Sequence, residues 1–145
     1  MESDDEEIIK ASSEKAEILH NMLNEKNINY DAFFSFLLST TNYERQIISE
    51  EYKSKFQKTI FDDINSQILN KEVKNIITLM FYNYYELDAR TLHKALKEKR
   101  NEKPIVEIFA SRPSWFLQIV NDEYKRLYGI TLKEELSQEK KSDFI

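Results

Sequence analysis

The chain has 145 residues, 41% of them hydrophobic and 32% charged, and its net charge at pH 7 is −5. One glycine, two prolines and no cysteine are typical of a folded, loop-poor helical protein, and the lack of cysteine excludes disulfides, zinc–thiolate sites and thiol catalysis. The acidic balance argues against general attraction to nucleic acid, so contact with an anionic surface would need a local basic patch or a bridging cation.

The chain opens with the acidic stretch MESDDEE, which lacks the basic and apolar segments of a signal peptide. We expect residues 1–11 to form a disordered acidic leader. Ser12 or Ser13 can then cap a first helix by accepting a hydrogen bond from a free backbone N–H group. The predicted apolar face of this helix consists of Ala16, Leu19, Met22 and Leu23.

Four more helices are predicted between the polar break at residues 25–29 and residue 87. The first of them is apolar on most sides, and the other three are amphipathic. Their apolar positions are, in chain order, Phe33, Phe34, Phe36, Leu37 and Leu38; Ile47, Ile48, Tyr52 and Phe56; Ile60, Phe61, Ile64 and Ile68; and Val73, Ile76, Ile77, Met80 and Phe81.

Another four helices are predicted from residue 88 onward. Asp88 is expected to cap the first of these. Pro104 and Pro113 suit the first turns of the next two, where the missing N–H group costs nothing. Gly129 is expected to end the third helix in the left-handed conformation, and a fourth helix begins near Leu132.

The two halves of the chain repeat one another. Leu19-His20 recurs 73 residues later as Leu92-His93, and Glu51-Tyr52-Lys53 recurs 72 residues later as Glu123-Tyr124-Lys125. The slip of one residue falls in the loop between these segments. We therefore predict two copies of one supersecondary unit.

Several motifs of the second half resemble those of the annexin family. They are Asp-Ala-x-x-Leu from Asp88, Ile-Phe-Ala-Ser-Arg at residues 108–112, Tyr-x-x-x-Tyr-Gly at residues 124–129 and Ser-Asp-Phe at residues 142–144. The resemblance covers roughly residues 13–144.

The resemblance implies an all-α fold of right-handed superhelical annexin-like repeats, each of five short helices. One repeat would span residues 12–87. A second repeat, which lacks its last helix, would span residues 88–145. Together they amount to about one and four-fifths repeats. The resemblance also implies a non-enzymatic module that binds anionic phospholipid through calcium.

The resemblance implies that the calcium site of each repeat needs a glycine-rich loop between the first two helices and a carboxylate after the fourth helix. Calcium takes about six to eight oxygen ligands, and glycine lets a loop turn its carbonyl groups inward. Repeat 1 has Asn-Ile-Asn-Tyr at residues 27–30 and Gln67 in place of the acid, while repeat 2 has Glu98 and two basic residues in its loop. We therefore predict degenerate calcium sites. The candidate weak calcium site consists of Lys99, Arg100 and Glu139.

A basic cluster accompanies the loop of repeat 2. Between residues 94 and 103, five basic residues outnumber two acidic ones, and the resemblance implies that this segment faces a membrane. The candidate lipid- or phosphate-binding residues are Lys97, Lys99, Arg100, Lys103, Lys140 and Lys141. A solvated helix end is the simpler interpretation of the same charges. We expect a cytoplasmic protein, with any attachment to membrane or cytoskeleton being peripheral.

The sequence contains no nucleophile elbow, phosphate loop or metal-ligand set, and we do not expect an enzyme. His20 and His93 occupy equivalent repeat positions and are interpreted as helix-surface residues. The alternative function is a scaffold or cytoskeleton-associated interaction module without lipid or calcium binding. Nucleic-acid binding is not expected, because the net charge is −5 and no stacking motif accompanies the basic residues.

The shorter second repeat is expected to leave an apolar face partly open. This face is predicted around Ile105, Phe109, Ile119 and Leu132. Burying an aliphatic or aromatic side chain is worth about 1.5–3 kcal/mol. We therefore expect a protein partner or a homo-oligomer.

Overall fold

The computed structural model describes residues 2–98 and 101–143, with side chains over residues 4–98 and 101–138. Across these residues it contains nine α-helices and no strand, which confirms the all-α prediction. The helices are α1 (Glu2–Leu23), α2 (Tyr30–Leu38), α3 (Asn42–Phe56), α4 (Ile60–Gln67), α5 (Lys71–Met80), α6 (Tyr84–Lys97), α7 (Glu102–Ser111), α8 (Ser114–Tyr128) and α9 (Leu132–Asp143).

The chain divides into two compact units, unit 1 over residues 1–83 and unit 2 over residues 84–145. Among the described residues, unit 1 holds helices α1 to α5 and unit 2 holds α6 to α9, the numbers predicted for the two repeats. Each unit contains its own buried hydrophobic cluster. The buried cluster of unit 1 is Ala16, Leu19, Leu23, Phe33, Leu37, Ile48, Tyr52, Ile60, Ile64, Ile68, Ile77 and Phe81. That of unit 2 is Ala89, Leu92, Ile108, Val120, Tyr124 and Leu132.

Polar side chains mark where the helices of unit 1 begin. Asn29, Thr41, Thr59 and Asn70 each precede a helix and accept a hydrogen bond from a backbone N–H group of its first turn. Thr59 and Asp62 form a reciprocal capping box at α4. Such caps satisfy backbone donors that have no partner within the helix, so the short helices start at defined positions.

Helix α1 extends to Glu2, where we expected a disordered leader and a helix start at Ser12 or Ser13. Residues 2–23 contain neither glycine nor proline, so nothing in them breaks a helix. Acidic side chains in the first turns also interact favourably with the positive end of the helix dipole. Ser12 lies inside the helix and is buried.

Asp88 does not cap α6, because that helix begins one turn earlier at Tyr84. Its carboxylate instead accepts two hydrogen bonds from the guanidinium group of Arg112, at 2.7 and 3.1 Å. The Asp88 side chain is 7% exposed, so this bidentate ion pair satisfies a buried charge. It ties α6 to the turn between α7 and α8.

Gly129 adopts the predicted left-handed conformation at the end of α8, with φ of 76°. Within the described part of the chain, no helix combines the length and apolar character needed to cross a bilayer.

Candidate functional site

The loop between α6 and α7 is flanked by two of the basic residues predicted to bind phosphate. Lys97 is the last residue of α6, and Lys103 lies in the first turn of α7; both are exposed. Lys99 and Arg100 lie outside the described residues, as do the side chains of Glu139, Lys140 and Lys141 on α9.

Lys97 forms an ion pair with a buried acid of α9. Its Nζ lies 2.7 Å from Oε1 of Glu135, whose side chain is 4% exposed, whereas that of Lys97 is 55% exposed. The hydroxyl group of Tyr124 on α8 donates a hydrogen bond to the other carboxylate oxygen. One carboxylate therefore joins three helices beside the α6–α7 loop.

Unit 1 contains a counterpart of this buried acid. Asp63 on α4 accepts a hydrogen bond from the hydroxyl group of Tyr52, and Nζ of Lys58 lies 2.8 Å from its other oxygen. The Asp63 side chain is 4% exposed. The lysine reaches the acid from the residues just before α4, whereas in unit 2 it comes from the end of α6.

These contacts change the acidity of the groups involved. Burial acts to raise the pKa of Glu135, but the hydrogen bonds from Lys97 and Tyr124 and the charge of Lys97 outweigh burial and hold the pKa below its usual value. Burial, followed by the hydrogen bond to Asp63, raises the pKa of Tyr52. The pKa of Glu135 is thus lowered and the pKa of Tyr52 is raised, so Glu135 stays charged and Tyr52 stays neutral at pH 7.

The two equivalent histidines pack against aromatic rings. His20 stacks on Phe56 at 3.8 Å between ring centroids, and His93 stacks on Tyr128 at 3.6 Å. Each histidine also lies 5.8 Å from the buried tyrosine of its unit. Both are partly buried rather than plain surface residues, and their contacts are those of packing.

In unit 1 the loop after α1 is joined to the end of α4. Nε2 of Gln67 donates a hydrogen bond of 3.2 Å to Oδ1 of Asn24. Ile28 of the same loop packs against the core, and Asn29 caps α2. Side-chain amides therefore connect the two segments that the annexin resemblance assigns to a calcium site.

Among the residues that the structure describes, no group of three or more histidine, aspartate or glutamate side chains could hold a metal ion. At the position of the acid, unit 1 has the amide of Gln67 in place of a carboxylate, and an amide is a poorer fit to a calcium ion.

The apolar periodicity of the sequence does not identify the buried acids, but the repeat spacing carries a signal for them. Asp63 and Glu135 lie 72 residues apart, the same spacing that separates Tyr52 from Tyr124. An acid and a tyrosine that recur together in two repeats indicate a structural pair. Spacing could not have found the lysines, because Lys58 and Lys97 occupy different positions in the two repeats.

Comparison with known proteins agrees with the repeated architecture. The annexin family model matches residues 14–76 and 87–145. Annexin A8 of Mus musculus is 32% identical over 122 residues, which cover 83% of this chain and 37% of that protein. The chain therefore spans less than half the length of this relative.

Solved structures show the same fold. A structure of an annexin A8 mutant with an intact N-terminus superposes with a TM-score of 0.80 at 28% identity, covering 88% of this chain and 40% of that one. Calcium-bound annexin (Sm)1 superposes with a TM-score of 0.73 at 28% identity, covering 80% of this chain and 33% of that one. The chain belongs to the annexin family.

Proposed function

We propose that this chain is a non-enzymatic annexin module that binds anionic phospholipid peripherally, with degenerate calcium sites. The observation that carries the proposal is that the exposed residues Lys97 and Lys103 flank the α6–α7 loop. Basic side chains at one end of a module can reach an anionic surface even though the net charge of the chain is −5.

The contact between Gln67 and Asn24 supports the calcium part of the proposal. A calcium ion prefers carboxylate and backbone oxygens, and here an amide occupies the position of the acid and bonds to the loop. The equivalent positions in unit 2 are Glu139 and Lys97, so an ammonium group accompanies the one acid. We therefore propose that calcium binds only weakly at the candidate site of Lys99, Arg100 and Glu139.

The ion pair of Lys97 changes the expected share of each basic residue in lipid binding. Because its ammonium group neutralises Glu135, Lys97 contributes less to a phosphate patch than its exposure suggests. Five candidates besides Lys97 remain, namely Lys99, Arg100, Lys103, Lys140 and Lys141. Three acids lie next to these basic residues in the sequence, namely Glu98, Glu102 and Glu139. The net charge of the segment is therefore +2 (5 − 3). At about 1 kcal/mol per charge, the attachment is worth about 2 kcal/mol and is sensitive to salt.

Co-sedimentation with phosphatidylserine vesicles tests the proposal. The variant is the triple substitution Lys99→Glu, Arg100→Glu, Lys103→Glu, which leaves the Lys97 pair intact. We expect wild-type binding at low ionic strength, with calcium chelated, and a loss of roughly tenfold or more in the variant or at high ionic strength.

The matched control is Lys53→Glu, Lys71→Glu, Lys125→Glu, which makes the same charge change at exposed positions elsewhere. This control should retain more binding than the loop variant. Binding that requires calcium, resists salt and is unaffected by the loop variant would show that a working cation site exists and that the proposal is wrong.

The alternative is an interaction module that binds neither lipid nor calcium. It is favoured by the apolar side chains that unit 2 exposes: Val106, Phe109, Trp115 and Ile119 are 37–61% exposed. Absence of vesicle binding under all four combinations of salt and calcium would favour this function.

A further inference from the structure

The acidic stretch near the start of the chain forms one wall of a groove in unit 1. The first turns of α1 lie beside α3, and a cavity of about 370 Å³ separates the two helices there. Residues 5–9 of α1 form one wall of this α1–α3 groove, and residues 43–51 of α3 form the other. Both walls therefore belong to the same compact unit.

Apolar side chains form the floor of the α1–α3 groove and remain open to solvent. Ile8 and Ile9 of α1 are 38% and 47% exposed, and Tyr43 of α3 is 67% exposed. Ile47, one turn after Tyr43, also lines the groove and is partly buried. Removing exposed apolar surface from water is favourable, so this floor favours a partner that brings apolar side chains of its own.

Acidic side chains form the rim of the groove. Asp5, Glu50 and Glu51 line the cavity, and no basic side chain lines it. Within the described part of the chain, none of these three carboxylates forms a hydrogen bond or an ion pair. The rim therefore carries three negative charges that the fold itself does not neutralise.

Where the same two helices pack closely, their charges are paired. Nζ of Lys15 on α1 lies 3.0 Å from a carboxylate oxygen of Glu44 on α3, and Nζ of Lys55 on α3 lies 3.0 Å from one of Glu17 on α1. The contact between α1 and α3 thus uses acids and lysines together along its closed part. Only the open part, at the groove, has acids without lysines.

The acids of the rim do not form a metal site. Among the described residues, no group of three or more histidine, aspartate or glutamate side chains could hold a metal ion. Carboxylates spread over two helices suit several cationic groups at separate positions better than one ion. The four consecutive acids at residues 4–7 are all exposed and add to the negative potential on this side of unit 1.

Unit 2 repeats one wall of the groove and not the other. The counterpart of Tyr43 on α8 is Trp115, 72 residues later, which is 59% exposed. Residues 5–9 correspond to residues 78–82, at the spacing of 73 that relates α1 to α6, and these precede the start of α6. The groove therefore depends on the extension of α1 into the acidic stretch.

We propose that the α1–α3 groove binds a basic amphipathic helix of a partner protein. The apolar side chains of that helix contact the floor, and its lysine and arginine side chains pair with the three carboxylates of the rim. Laying the apolar face of an amphipathic helix into a groove is a recurrent mode of peptide recognition, and complementary charges on the rim select the partner. The inference is independent of phospholipid binding.

Fluorescence anisotropy with labelled synthetic peptides and the full chain tests the proposal. The probe is an amphipathic peptide of leucine and lysine about 18 residues long, which is long enough to form a helix by itself. Two comparison peptides replace every lysine by glutamate or every leucine by serine. We expect saturable binding of the leucine–lysine peptide at low ionic strength, and binding weaker by about tenfold or more for both comparison peptides.

The rim is tested by the variant Glu50→Lys, Glu51→Lys. It should bind the leucine–lysine peptide about tenfold more weakly than wild type, and the difference should shrink at high ionic strength. The matched control is Glu25→Lys, Glu107→Lys, which makes the same charge change at exposed positions outside the groove. This control should weaken binding by no more than about twofold.

The floor is tested by the variant Ile9→Gln, Tyr43→Gln, which leaves the charge unchanged. Binding should weaken about tenfold at both low and high ionic strength, because burial of apolar surface is not screened by salt. The matched control is Ile18→Gln, Leu69→Gln, at apolar positions that are 43% and 89% exposed and lie outside the groove. Circular dichroism of each variant checks that its helices are retained.

Any one of three results would overturn the proposal. The first is no saturable binding of the leucine–lysine peptide to wild type. The second is an equal effect of the rim or floor variant and its matched control. The third is self-association of the chain that the floor variant abolishes and the peptide does not displace, which would make a second copy the occupant.

Discussion

At the residue scale, the buried acids Asp63 and Glu135 bear on both the stability of the fold and the test of lipid binding. Each is held by a tyrosine hydroxyl group and a lysine, and each side chain is 4% exposed. A buried carboxylate without such partners would be strongly destabilising. Glu135 also links the loop-flanking residue Lys97 to α9, so a substitution of Lys97 tests both lipid contact and stability. This is why the vesicle experiment leaves Lys97 unchanged.

The lowered pKa of Glu135 predicts how stability depends on pH. Because the folded pKa lies below the usual 4.5, the charged acid stabilises the fold above that pH, and this stabilisation is lost as pH falls through the folded pKa. Glu135→Gln should therefore lower the free energy of unfolding by about 1–2 kcal/mol at neutral pH, discounted for the exposure of Lys97. The difference from wild type should close below about pH 4.5.

Urea denaturation across this pH range measures the effect. Glu134→Gln is the matched control, since its side chain is exposed and its stability should stay within about 0.5 kcal/mol of wild type. A difference between Glu135→Gln and wild type that persists unchanged to about pH 3 would contradict the assignment.

At the element scale, the equivalent helices α3 and α8 end in the same way with different residues. Gln57 has φ of 61° and Gly129 has φ of 76°, both in the left-handed region. Glycine adopts this region without strain, whereas a residue with a Cβ atom pays roughly 1 kcal/mol. No atom lies within 4 Å of the position that a Cβ atom would take at Gly129. The free-energy cost of replacing this glycine would therefore come from the backbone conformation alone.

Gln57→Gly should therefore stabilise the protein by roughly 0.5–1 kcal/mol, and Gly129→Ala should destabilise it by about 1 kcal/mol. Thermal unfolding followed by circular dichroism measures both changes. Gln57→Ala is the control, because it keeps the strained φ and should bring no gain. Equal effects of Gly and Ala at position 57 would show that backbone strain is not the cause.

At the scale of the whole molecule, stability is expected to be distributed unequally. Each unit contains its own buried hydrophobic cluster, and among the side chains that the structure describes, the cluster of unit 1 is larger than that of unit 2. Small domains with few buried side chains are only marginally stable. Of the face of unit 2 that was predicted to stay open, Phe109 and Ile119 are 39% and 37% exposed, whereas Leu132 is buried, contrary to the prediction.

We expect a fragment of residues 1–83 to unfold cooperatively in urea, and a fragment of residues 84–145 to be helical but less stable. Circular dichroism of the two fragments during urea titration measures this. Equal midpoints, or a fragment of residues 1–83 without a cooperative transition, would contradict the prediction.

Much of this architecture followed from local pattern in the sequence. Helical spacing of apolar residues predicted the nine helices that the described residues form, and matching residues at separations of 72 and 73 predicted the two repeats. Gly129 was predicted to end α8 because only the local backbone conformation matters at that position. The predicted start of α1 was wrong because an uninterrupted acidic stretch is compatible with either a disordered tail or the first turns of a helix.

The tertiary structure alone decided which polar groups meet. Asp88 was predicted as a helix cap and is instead buried against Arg112, and Lys97 was predicted to contact phosphate and also neutralises Glu135. The distances along the chain, 24 residues in the first pair and 38 in the second (112 − 88 and 135 − 97), carry no local signal. Burial, which makes an unpaired charge costly, is set by how the helices pack, and helix periodicity specifies only which face is apolar.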